Sequence, residues 1–286
     1  MSRKPVTDAR FPRSLAWRVL RHGVLMAGAA FFLLPFVWML SASLKPAAEI
    51  FSDGFHFWPH HWAALENYRR AFTQVPLLRY LLNGVLVCGG ILVLQVLLAL
   101  PAAYCFAKLE FRGKGWAWSL VMLALMIPFQ ATAIPLYLLL YQLGLLDSLS
   151  ALVIPFVASA FGIFLLRQFI AGIPDDLIHA ARIDGMGEFE LLWRVVAPAA
   201  VPALMAFAIF SVVWHWNDYF WPLLVISTPD HATPPLGTMF FKNEESGSDY
   251  GPLMAGTVVV TLPLIAFFLA AQKRFIEGVT LSGVKG

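Results

Sequence analysis

Charge is what this sequence has least of: Asp, Glu, Lys and Arg make up 13% of its 286 residues, against 59% for hydrophobic residues. A soluble domain of that size cannot hide so much apolar surface, which leaves an all-α polytopic membrane protein. Cysteine is nearly absent. Cys88 and Cys105 fall in one apolar run, so neither a disulfide framework nor a zinc spacing is available. His56, His60 and His61 stand close together but lack the Cys or spaced carboxylates that a metal site needs. No G-x-x-x-x-G-K-S/T occurs, so the chain does not itself cradle ATP, and no Ser/His/Asp or Cys/His arrangement stands out. Neither catalysis nor a cofactor of its own is expected. The net charge of +3 calls for no nucleic acid, because it follows from where the basic residues sit relative to the membrane.

What the chain does have is a series of uncharged runs. A basic arm, residues 1–21, carries Arg3, Lys4, Arg10, Arg13, Arg18 and Arg21. The run 22–44 is long enough to span, and longer than a signal-peptide core, so an uncleaved anchor is expected despite the small residues Ser41, Ala42 and Ser43. Residues 45–79 form a polar connection rich in aromatics. Further spans are read at 80–107, 115–146 (with Pro128 and Pro135 as kinks), 148–166, 195–217 running on to about 226, and 250–272. The predicted organisation is the arm, a six-helix membrane domain over 22–272, and a tail at 273–286. Fifteen of the twenty Lys and Arg residues lie in 1–21, 108–114, 167–194 and 273–286, which puts both termini in the cytoplasm.

The polar stretch 173–202, IPDDLIHAARIDGMGEFELLWRVVAPAAVP, interrupts this pattern between spans four and five. Asp175, Asp176, Arg182, Asp184, Glu188, Glu190 and Arg194 keep it out of the bilayer. Pro174 suits a first helical turn, and the two aspartates complement a helix N-terminus. Leu177, Ala180, Ala181 and Asp184 share one shallow face that a partner can approach. Gly185 is placed to end the helix in the left-handed region, and with Gly187 it forms a hinge into a second helix. Pro198 and Pro202 then bend the chain into span five. A solvated loop is the plain alternative.

In span five, Ser211, Trp214, His215, Asn217, Asp218 and Trp221 recur at three- and four-residue spacings. Flat apolar rings beside polar groups suit a sugar, which makes Trp214, Asn217, Asp218 and Trp221 candidates for a substrate path. An interfacial aromatic belt, with Asp218 capping a helix contact, accounts for the same residues.

HAARIDG resembles the E-A-A-x-x-x-G loop of ABC importer permeases, with Ala180, Ala181 and Gly185 matching, Asp184 fitting a common D-G ending, and His179 standing where the family has Glu. LLPFVWMLSASLKP, AYCFAKLEFRGK, WNDYFWPLL and KRFIEGVTLSGVKG are similar, in the same order, to other segments of the carbohydrate-uptake members of that family. The resemblance implies a permease subunit in a bacterial or archaeal cell membrane, importing a sugar or sugar-like solute. It implies a second permease as heterodimer partner, an extracytoplasmic solute-binding protein and a pair of ATPase subunits that bind ATP and Mg. His179, Ala180, Ala181, Asp184 and Gly185 would form a coupling helix docking on the ATPase, and the loop 227–249 would meet the binding protein. A secondary transporter or channel is the competing class, but no internal repeat supports it.

Overall fold

A computed structural model describes residues 15–51, 56–243 and 247–282. The predicted basic arm up to Arg13, the side chains of the predicted tail from Lys273, and residues 283–286 lie outside what is described. Apart from a two-residue antiparallel hairpin (β1, Lys242–Asn243; β2, Gly247–Ser248), the regular structure is helical. In order the helices are α1 (Leu15–Ser43), α2 (Ala47–Ile50), α3 (Ala64–Thr73), α4 (Leu77–Lys108), α5 (Lys114–Met126), α6 (Phe129–Gln142), α7 (Leu149–Val153), α8 (Ala160–Ala171), α9 (Asp175–Ile183), α10 (Glu188–Leu191), α11 (Ala197–Ala199), α12 (Val201–Trp216), α13 (Phe220–Val225), α14 (Pro234–Gly237) and α15 (Tyr250–Ser282).

Three helices, α1, α4 and α15, are single spans by length and apolarity. The other three spans are broken. α5 and α6 meet at 98°, α7 with its 3₁₀ turn (Ile154–Phe156) meets α8 at 44°, and Glu188–Ala199 meets Val201–Trp216 at 78°. Counting each bent pair once gives six.

Pro128 is the break in span three, while Pro135 sits inside α6. The bend expected at Pro198 and Pro202 is present, whereas the runs read at 148–166 and from 195 on to about 226 each contain a further break. Ser159 accepts the N–H of Gly162 at 3.0 Å and so caps a fresh helix in mid-span. Span five does not run on to 226. α12 ends at Trp216, and Pro222 has no N–H for a continued ladder and would crowd the carbonyl four residues back. Asp218 instead accepts the N–H of Trp221 at 3.2 Å, and α13 starts there.

Breaks in a membrane helix free carbonyls that no water can reach, so neighbouring side chains must take them. Gln95 of α4 donates to the Phe156 carbonyl at 2.9 Å, within the break of span four. Trp221 donates to the Ala151 carbonyl at 2.9 Å in the same span, and Trp216 joins α12 to the unbroken α15 through the Val260 carbonyl at 3.1 Å.

The buried side chains form two groups. One, at the end of the bundle carrying 45–51, 56–76, 143–148, 226–243 and 247–249 (the far end), includes Leu77, Tyr80, Leu152, Trp221 and Ala255. The other, at the end carrying 109–113 and 172–200 (the near end), includes Leu100, Tyr104, Leu166, Ile170, Ile178 and Leu191. α4 contributes to both. α1 packs along α15, yet none of its most apolar window is buried within this subunit.

Much of the far-end loop read at 227–249 is seated on the bundle. Ala232, Thr233, Pro234, Leu236, Gly237 and Phe241 are buried against α4 and α15, and Asn83 donates to the carbonyls of Asp230 and Ala232 at 2.9 Å each. A Cβ at Gly237 would lie 2.1 Å from the Tyr80 ring, so only glycine allows this approach. Gly237→Ala should therefore cost about 1–3 kcal/mol by overpacking. Gly89→Ala, which points into open space, should cost nothing. Thermal unfolding of the two variants in detergent checks this, and equal midpoints would show that the loop seating is loose.

Candidate functional site

The polar loop at the near end is folded onto α4. Pro174 is extended and precedes α9, so Asp175 and Asp176 rather than the proline open its first turn. Ile178 and Ala181 are buried, while Leu177, His179, Ala180, Ile183 and Asp184 face outward. The expected four-residue face is thereby corrected. Leu177, Ala180 and Asp184 lie on the open side, but Ala181 points into the core, because it falls three residues after Ile178 and shares that residue's apolar neighbours. The helix stops as Gly185 takes φ +85°. The N–H of Gly185 reaches the Arg182 carbonyl at 3.0 Å and that of Met186 the Ala181 carbonyl at 3.1 Å, the two bonds of a Schellman cap.

Two points hold the loop. Lys108, nearly buried at the end of α4, donates to the Ile173 carbonyl at 2.6 Å and to Asp175 at 2.7 Å. One turn earlier, the Tyr104 hydroxyl donates to Glu188, which also pairs with Arg182 at 2.8 Å. The Arg182 guanidinium, helped by Tyr104, holds the Glu188 carboxyl below its ordinary value, and Lys108 does the same for Asp175. Glu188 in turn raises the Arg182 pKa. None of Tyr104, Lys108, Arg182 or Glu188 was singled out as a pair from sequence. The readable signal was a tyrosine and a lysine closing an otherwise apolar span.

The outward side of the loop carries large apolar groups with no cover in this subunit. Ile183 is 86% exposed, Phe189 77% and Leu177 45%.

The four candidate path residues separate. Trp214 is 66% exposed and Asn217 is open, its amide returned to the Val213 carbonyl at 2.8 Å. Asp218 is half-buried and caps α13. Trp221 is fully buried among Ala151, Phe129 and Phe156, so it does not share a surface with the others. The helix break after Trp216 destroys the register that would have aligned them.

Asp147, at the turn between α6 and α7, went unnoticed in the sequence. Its carboxylate accepts the N–H groups of Ser227 and Thr228 at 2.9 Å each and lies 3.6 Å from His231. Burial pushes this carboxyl up, but the Thr228 and Ser227 donors outweigh it and hold it below the usual range. Its φ of +55°, in the left-handed region, is sustained by those bonds. Arg79 pairs with Asp230 at 3.0 Å beside it, and Arg70 pairs with Asp249.

Comparison with known proteins bears on the whole chain. Residues 95–280 match the family described as binding-protein-dependent transport system inner membrane component. An arabinooligosaccharides transport system permease protein of Halalkalibacterium halodurans is 31% identical over 95% of this chain and 97% of its own length. A lactose transport system permease protein of Rhizobium radiobacter is 30% identical over 93% and 96%. A diacetylchitobiose uptake system permease protein of Streptomyces coelicolor is 31% identical over 91% and 87%. Among solved structures, a bacterial ABC transporter involved in the import of the acidic polysaccharide alginate superposes with a TM-score of 0.79 at 25% identity, covering 95% of this chain and all of that one.

The loop clamp should respond to acid alone. Both carboxyls titrate below their unfolded values, 4.5 for Glu188 and 3.8 for Asp175, so their contribution is complete above those values. It is lost as pH falls through the lower folded ones. Amide exchange over 175–188, corrected for intrinsic rate, should stay flat from about pH 8 to about pH 5 and lose protection below about pH 4. A transition near neutrality would contradict the clamp.

Proposed function

The chain belongs to the family of binding-protein-dependent transport system inner membrane components, and from that premise we propose that it carries a sugar or oligosaccharide, driven through the loop 173–200. It is the multi-pass permease subunit of an ABC importer and not an enzyme, ATP hydrolysis being the work of a separate subunit. A carbohydrate solute is supported by the arabinooligosaccharide, lactose and diacetylchitobiose systems in which similar permeases serve.

The remaining assembly is a heterodimer with a second permease, two ATPase subunits carrying ATP and Mg, and a solute-binding protein outside. The concentration of Lys and Arg in 1–21, 108–114, 167–194 and 273–286 supports a cytoplasmic near end and cytoplasmic termini. The observation that carries the docking assignment is the exposure of Leu177, Ile183 and Phe189, three large apolar side chains on a polar loop. Large apolar side chains exposed on so polar a segment call for a protein partner. His179, Ala180, Asp184 and Gly185 lie at that surface, while Ala181 anchors α9 from below. ATPase closure would move the clamped loop and the spans attached to it, biasing one two-state element from both membrane sides. For the solute path Trp214 and Asn217 remain candidates, with Asp218 at their edge; Trp221 serves the core instead.

Gly185→Asp puts a charged side chain at the docking surface and at a left-handed position, where Asp is tolerated better than most residues, so the strain is about 1 kcal/mol or less. Ala181→Trp lifts α9 off its seat by overpacking. Each variant should insert normally in vesicles containing the whole transporter, while uptake falls by about tenfold or more and hydrolysis loses its dependence on loaded binding protein. Full coupled uptake in both would remove the docking assignment. Uptake that stops when ion gradients are dissipated with ATP present would favour a secondary transporter.

A further inference from the structure

We propose that α4 is the rod that carries displacement between the two ends of the permease, and that Gln95 is the positioning residue that ties the broken fourth span to it. The inference rests on the importer reading above and goes beyond it by naming the route inside the membrane.

Four polar side chains are spaced along α4, at Asn83, Gln95, Tyr104 and Lys108, and all four are nearly buried. Each bonds a different part of the molecule. Asn83 holds the far-end loop through the carbonyls of Asp230 and Ala232, at 2.9 Å each. Gln95 holds the Phe156 carbonyl in the break of span four at 2.9 Å, and its own amide oxygen accepts from Ser211 of α12 at 2.7 Å. Tyr104 and Lys108 hold Glu188, Ile173 and Asp175 of the near-end loop. From Asn83 to Lys108 the rod is about 37 Å long at ~1.5 Å per residue. Pro101 removes one rung, yet α4 runs through it unbroken.

Gln95 is the decisive member because its amide is committed on both sides. It joins two spans that are themselves broken or end short, and the imidazole of His215 lies only 3.5 Å from its nitrogen. If Gln95 moved without span four, the Phe156 carbonyl would lose the bond it makes in this structure in a medium where water cannot replace it. Span four and α12 must therefore follow α4, and α4 is held at one end by the docking loop and at the other by the far-end loop. A push on the near end and binding at the far end then act on the same body, which is the reciprocity that coupling requires.

The test uses the complete transporter in vesicles: both permeases, ATPase and binding protein. Gln95→Leu keeps the volume and removes both bonds. It should keep most of the basal hydrolysis but lose about tenfold of the stimulation by loaded binding protein, with uptake falling in step. Ser211→Ala, which leaves the Phe156 bond intact, should lose much less. Undiminished stimulation in Gln95→Leu overturns the proposal, as does an equal fall in basal and stimulated rates, which marks simple damage. A second measurement stands whether or not that variant inserts. With Cys88→Ala and Cys105→Ala as background, Lys108→Cys and Asp175→Cys are joined by a short bifunctional thiol reagent. If loop and rod move as one, stimulated uptake survives the cross-link; loss that cleavage of the linker reverses overturns the proposal. Absence of stimulation in the unmodified transporter would instead sink the importer reading itself.

Discussion

A carbonyl left without a partner in hydrocarbon costs several kcal/mol, and that penalty shapes this molecule more than any other. Three of the six spans are broken. A break can persist where a donor is delivered from another helix, and in span four the donors are the amide of Gln95 and the indole of Trp221. Tryptophan suits this task because it brings one N–H on a large apolar body that packs the gap it serves. At the near end the same pattern continues with Lys108 on the Ile173 carbonyl and Arg167 on that of Phe106 at 3.3 Å, where Arg167 also lies over the Trp118 ring. The architecture is thus a set of interrupted helices held by side chains reaching into one another's gaps.

Against that background the ion pairs of the polar loop do something other than stabilise the fold. Asp175 is largely exposed and Glu188 half so, and wet pairs of this kind contribute modestly. Their value is geometric. Two anchors one turn apart on α4 fix both the position and the rotation of α9, whose open side carries Leu177 and Ile183. Asp147 plays a comparable part at the opposite end, where one carboxylate gathers the start of the far-end loop. Both ends of the bundle are therefore tied down by a few directed bonds, whereas the long faces between them stay apolar and smooth.

The spans α1, α4 and α15 were legible because hydropathy over twenty residues is insensitive to detail. Breaks are detail. Pro155 and Pro222 stood in plain view, yet an uncharged stretch such as IPFVASAFG reads as continuous on any apolarity measure. The stop at Gly185 could be read, since its only requirement was local. Ala181 could not, because alanine fits a core as readily as a surface, and only the burial of Ile178 on the same side decides between them. Asp218 carried two readings, and the geometry of a cap at the start of α13 belongs to the second of them. Gln95 was visible as a lone amide in an apolar run, but its partner is a main-chain carbonyl 61 residues away, which no side-chain pattern announces.

Between the loop and span five the chain passes through a π turn at Leu192–Val196. A π ring closes one residue later than an α ring, so this turn holds a residue in surplus, and everything upstream is rotated by roughly 100° from the phase of an unbroken helix. The angular setting of the loop is therefore not inherited from α12 but reset at this joint.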